Sequence, residues 1–79
     1  MAQIRLEDIE RIEKARNTLH EKVYTTYTSF EKNGQKYFQL DTYGTNGRET
    51  PEKVSQSLQL DETAARFLVK LLIEEFDLL

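Results

Sequence analysis

Val23 to Tyr43 reads VYTTYTSFEKNGQKYFQLDTY, and the fold turns on how this stretch is paired. Two runs rich in Thr, Tyr, Phe and Val flank Asn33-Gly34, the dipeptide best able to hold positive φ at both centres of a type I′ turn. With Asn33 and Gly34 as the two loop residues, Lys32 faces Gln35, Glu31 faces Lys36, Phe30 faces Tyr37 and Ser29 faces Phe38. The ladder continues to Tyr24 opposite Tyr43. Side chains alternate with period two, so one face collects Val23, Tyr27, Phe38 and Leu40. The other collects Tyr24, Thr26, Thr28, Phe30, Tyr37, Gln39, Asp41 and Tyr43. Both faces carry aromatic rings, and what covers the second one decides the function.

Outward from the hairpin, Gly44 to Lys53 is polar, with two glycines and the only proline, so it is a connection. Val54 to Leu60 alternates again. Val54, Leu58 and Leu60 share a face, with Gln56 the exception, and Ser55, Ser57 and Gln59 form the other. Asp61 suits the N-cap of a helix from about Glu62 to Phe76. Around that helix Phe67, Leu68, Val69, Leu71, Leu72, Ile73 and Phe76 sweep about 240°, against the ~100° or somewhat more that a helix capping a sheet requires. The surplus must be covered by a helix elsewhere in the chain, by a second subunit, or by both. Phe67, Leu68, Leu72 and Phe76 are the residues expected at the interface of a homodimer.

On the N-terminal side, LEDIERIEKARNTLH (6–20) spaces Leu6, Ile9, Ile12, Ala15 or Arg16, and Leu19 three to four apart. Glu7, Asp8 and Glu10 fall in the first turn and His20 and Lys22 at the end, as the helix dipole favours. Glu10 and Lys14 form an i,i+4 pair. The spacing predicts an N-terminal helix, with Ile4 either beginning it or forming a short strand before it. The expected architecture is one α+β domain over residues 1–79, a three-stranded antiparallel meander between two helices in the order α-β-β-β-α.

Composition narrows the chemistry. At 79 residues the chain has a marginal core, and it has no cysteine for a disulfide or a thiolate metal site. It contains no run of about 18 apolar residues and no signal-peptide centre, so a cytoplasmic protein is expected. The net charge of −3 is uneven: residues 22–60 hold five basic and four acidic side chains, and residues 61–79 hold two and five. His20 is the only histidine, with no second histidine or cysteine to form a relay or a ligand cluster. No phosphate-cradling glycine motif is present, Gly34, Gly44 and Gly47 being scattered. The inventory predicts neither enzyme activity, nor a cofactor, nor a metal.

A binding surface fits better. Tyr37 and Tyr43 could stack on unpaired bases, with Lys36, Arg48 and Lys53 at the margins tracking phosphates, which is how single strands are held without sequence reading. The competing reading is that these rings brace the sheet beneath the first helix. The second functional expectation is a protein-interaction or inhibitor module, regulatory or phage-type, acting through its helices. It rests on the acidic C-terminal segment and the wide apolar arc.

Pro51-Glu52-Lys53-Val54-Ser55-Gln56-Ser57-Leu58-Gln59-Leu60 followed by one long helix resembles the single-stranded-DNA-binding transcriptional coactivator family called positive cofactor four. The likeness lies in the proline, the lysine two later and the Ser-Leu-x-Leu ending, over about 50 residues. It implies a homodimer joined through the C-terminal helix, a role in transcription regulation, Lys36, Arg48 and Lys53 as backbone contacts, and Tyr37 and Tyr43 as stacking residues.

Overall fold

The computed structural model describes residues 1–44, 48, 49 and 53–79. Its elements are β1 (Ala2–Ile4), a single 3-10 turn (Leu6–Asp8), β2 (Thr25–Lys32), β3 (Gln35–Tyr43), β4 (Val54–Leu60) and α1 (Glu62–Phe76). The class is α+β. The sheet has four strands in the order β1-β4-β3-β2.

The hairpin forms in the register that the Asn-Gly turn dictates, from Lys32 opposite Gln35 to Thr25 opposite Thr42. Asn33 has φ 53° and Gly34 φ 78°, both in the left-handed region. The Tyr43 amide then donates to the Tyr24 carbonyl at 3.1 Å, extending the pairing one step beyond β2. β4 adds antiparallel to β3, with Phe38 opposite Leu60 and Leu40 opposite Leu58. A register shift between Thr42 and Tyr43 skips Ser55 and sets Val54 opposite Tyr43, so the apolar row expected to include Val54 breaks there.

Two expectations are corrected. The sheet is not a three-stranded meander: Ala2–Ile4 pairs parallel with β4, Ile4 opposite Leu60, so Ile4 takes the strand alternative. There is also no N-terminal helix over 6–20. Only Leu6–Asp8 turns, and residues 9–24 carry no regular structure. The physical reason is a missing partner. A helix of about 15 residues is marginal in water without a packed apolar face, and here residues 10–22 are exposed throughout. Arg5, before the 3-10 turn, makes no side-chain capping bond either.

α1 has what that segment lacks. Asp61 accepts from the Ala64 amide at 2.9 Å and from the Thr63 hydroxyl at 3.0 Å, closing the first turn. At the far end Asp77 adopts φ 53°, and the Leu78 amide returns to the Ile73 carbonyl at 3.1 Å, as in a Schellman stop. α1 leaves the sheet at Leu60 and stays beside the apolar face. A cleft of about 640 Å³ lies between them, lined by Phe38, Leu60, Ala65 and Val69 among others.

The packed interior is small. Among the described residues only Ala64 and Tyr43 are buried apolar side chains. Tyr27 is 72% exposed and Phe76 69%, with Val69 and Leu72 also open. No helix is long and apolar enough to cross a membrane among the described residues.

Two outcomes test these elements. A Cβ on Gly34 meets nothing within 4 Å, so Gly34→Ala acts only through the positive φ; it should cost about 1 kcal/mol, read as a lower urea midpoint at unchanged slope. The Asp61 carboxyl is held below the usual carboxylate range, first by the Ala64 amide and then by the Thr63 hydroxyl. Its folded-state pKa being depressed, the stabilisation is present above the unfolded pKa and fades as pH falls through the folded one. Asp61→Ala should therefore lower Tm at neutral pH and make no difference in strong acid, with Asp61→Asn falling between, as followed by helical circular dichroism.

Candidate binding face of the sheet

Ladder partners share a face, so the pairings divide the sheet cleanly. Ile4, Tyr27, Phe38, Leu40, Leu58 and Leu60 lie on the side of α1. Gln3, Thr26, Thr28, Phe30, Tyr37, Gln39, Asp41, Ser57 and Gln59 lie on the other.

At the turn end of that second face, Phe30 and Tyr37 stack with centroids 5.4 Å apart and planes at 23°. Phe30 is exposed and Tyr37 half-buried. The Tyr37 hydroxyl donates to Gln35 at 3.3 Å and otherwise stands open. The opposite end holds a second pair, Tyr24 and Tyr43, at 5.2 Å and tilted by 42°. Six residues of extended chain separate Tyr37 from Tyr43, about 20 Å.

Between the two pairs runs a chain of side-chain hydrogen bonds. Gln59 Nε2 donates to Gln39 Oε1 at 2.8 Å, and Gln39 Nε2 donates to Asp41 Oδ1 and Oδ2 at 2.9 and 3.1 Å. The Ser57 hydroxyl donates to Asp41 from the other side. Each amide has its rotamer fixed by the next, so the row presents a set pattern of donors and acceptors rather than a mobile one. A shallow depression of about 350 Å³ adjoins it, lined by Met1, Ala2, Gln3, Gln39, Ser57 and Gln59.

The expected contact residues are thus only partly gathered. Tyr37 is on the open face. Tyr43 is on the same face but only 8% exposed, with its ring against Tyr24 and its hydroxyl 3.1 Å from that of Thr26. In this arrangement it supports the surface from below instead of offering a ring to a ligand. Arg48 joins it, its guanidinium 5.3 Å from the centre of the Tyr24 ring. Lys36 sits opposite Glu31 on the α1 side, away from Tyr37, because neighbours along a strand point to opposite faces. Lys53 is exposed just before β4. Pro51 and Glu52 of the loop lie outside the described residues. Of the four apolar positions expected at an interface, Leu72 and Phe76 are exposed and Phe67 and Leu68 half-buried.

Phe30 and Asp41 belong to this surface although residue type alone singled out neither. The signal for Phe30 was its place opposite Tyr37. For Asp41 it was the period-two pattern of Gln39 with Asp41 and of Ser57 with Gln59. No group of three or more His, Cys, Asp or Glu side chains that could hold a metal ion occurs among the described residues. No family model matches the chain, and neither curated proteins nor solved structures give a match.

The two tyrosines should separate by experiment. Tyr43→Phe removes a half-sheltered hydroxyl bond and should cost about 0.5–1.5 kcal/mol in denaturant unfolding. Tyr37→Phe, whose hydroxyl meets only an exposed glutamine, should stay within about 0.5 kcal/mol of the parent.

Proposed function

We propose that the chain is a non-enzymatic binding module that takes single-stranded nucleic acid on the polar face of its sheet and works as a homodimer. The observation that carries this reading is the Phe30–Tyr37 stack, standing open at one end of a four-stranded sheet whose middle is a fixed row of amides. Aromatic side chains on a sheet offer unpaired bases a stacking surface, worth ~1–3 kcal/mol per base, while polar side chains meet the base edges. Asp41 and the carbonyl oxygens of the amides suit exocyclic amino groups. Arg48, at the far end of the face, is the cation best placed for a phosphate. The resemblance to the positive cofactor four family implies the same class of ligand and a part in transcription regulation.

A second reading is favoured by one observation: the centre of the face is a carboxylate, Asp41, in a chain of net charge −3. A fixed negative charge repels a phosphate backbone and attracts a basic peptide. On this reading the chain is a protein-interaction or inhibitor module.

Fluorescence anisotropy with a labelled oligonucleotide distinguishes the two. Nucleic-acid binding should appear at low salt, weaken as salt rises, and fall about 5- to 100-fold in Phe30→Ala/Tyr37→Ala. Asp41→Asn should hold or raise that affinity. Absence of binding at low salt, or full affinity in the double variant, would sink the first reading.

A further inference from the structure

Residues 9–23 are the largest feature that neither the sheet nor α1 accounts for. They join two strands that are parallel to each other, since β1 and β2 both run with β4, and that stand at opposite edges of the sheet. Such a connection has to travel back along the sheet, and in folded domains it is usually a helix. The sequence agrees: Ile9, Ile12, Ala15 and Leu19 form a stripe at helical spacing. Yet here the segment has no regular structure, Ile12 is exposed and Leu19 is 98% exposed.

Handedness says where the connection belongs. The two-residue turn makes Phe30–Tyr37 a hydrogen-bonded pair. For L-residues that places β3 on the right of an upward β2 seen from the polar face, and β1 furthest right. A right-handed return from β1 to β2 therefore passes over the opposite, apolar face. One contact already ties the segment to that side: Arg11 Nη1 donates to Glu75 Oε1 on α1 at 2.7 Å.

The apolar side is also where the chain is unfinished. A folded monomer of 9.3 kDa exposes about 5,000 Å², whereas this chain exposes 7358 Å². Its radius of gyration is 14.7 Å, against about 12 Å for a compact chain of this length. The surplus, on the order of 2,000 Å², is shared by the open segment and the apolar side, and obligate dimers bury areas of this order. Val69, Leu72 and Phe76 of α1 are exposed, and so are Tyr27 and Leu58 on the apolar side of the sheet. Charge is complementary: the segment 9–22 holds four basic and three acidic side chains, and the end of α1 presents Glu74, Glu75 and Asp77 with no basic residue in its last turn.

From these observations we infer that a second copy of this chain occupies the apolar side, and that residues 9–22 fold into a helix when it docks. Association adds apolar surface beyond what the open face of one protomer offers, and the stripe packs as the two copies close. The released segment and the open ridge are two aspects of one unassembled state. This inference shares with the proposed function only the expectation of a dimer, and it is tested without nucleic acid.

Sedimentation and far-ultraviolet circular dichroism across a dilution series provide the test. The expected result is a shift from the 9.3 kDa species to one of twice that mass. Helix content should rise in step, from the 15 residues of α1 toward about 29. Leu19→Asp touches neither the sheet nor α1, so it should leave the dilute spectrum unchanged while weakening association ~10-fold or more. Leu72→Glu should weaken it through α1. A chain that stays monomeric at all concentrations overturns the inference. So does a dimer whose helix content never exceeds that of α1, or one indifferent to Leu19→Asp. Loss of oligonucleotide binding with this behaviour intact would count against the nucleic-acid reading alone.

Discussion

The antiparallel pairing set by Asn33 and Gly34 is the constraint on which everything else depends. Two residues at positive φ leave no freedom in register, and period-two alternation then assigns every residue of β2 and β3 to a face. A slip of one position between β2 and β3 would part Phe38 and Leu40 from Tyr27 and set Gln39 and Asp41 on the Tyr27 side. Neither the Phe30–Tyr37 stack nor the Tyr27–Phe38 stack would survive. β4 inherits its register from β3, β1 from β4, and α1 starts where Leu60 ends.

Once the faces are fixed, their treatment is unequal. The polar face satisfies itself: amide to amide, amide to carboxylate, hydroxyl to carboxylate, ring on ring. Such a surface can face water at no loss and still keep a defined shape. The apolar face depends on contacts that a single helix does not provide in full, and among the described residues Ala64 is the only buried apolar side chain on that side. A hydrophobic surface left this open marks an interaction site far more often than it marks a tolerated flaw.

Legibility in the sequence followed the range of the forces. The turn, the hairpin register, the third antiparallel strand and the bounds of α1 are local matters of φ preference, alternation and capping, and they stood in the residues at Asn33-Gly34, Val54 to Leu60 and Asp61. The fourth strand did not. Three residues, Ala2–Ile4, carry too little alternation to be read, and their pairing with β4 spans most of the chain. The segment 6–20 shows the converse, since its helical spacing is genuine but propensity alone does not hold a helix without a surface to pack on. On the candidate face, the positions of Tyr37 and Tyr43 could be derived from the register, but the burial of Tyr43 could not. It depends on Tyr24 and Thr26 closing over it, which is a property of side-chain packing. Lys36, expected at the margin of that face, falls on the other side by its parity relative to Tyr37.

Parity also keeps the two chemistries of this small sheet apart. Every second residue of β3 belongs to the polar row and the others to the apolar one, so substitutions on one side leave the chemistry of the other untouched. Gln39, Asp41, Ser57 and Gln59 answer to one another's hydrogen bonds, whereas Phe38, Leu40, Leu58 and Leu60 answer to packing. The two sides remain coupled through the backbone they share. A partner seated on the apolar face stiffens the same β3 and β4 strands that hold the amide row, and a stiffer row loses less conformational freedom when it meets a ligand. On the proposed reading, assembly on one side of this sheet would bear on recognition at the other through the main chain that the two faces share.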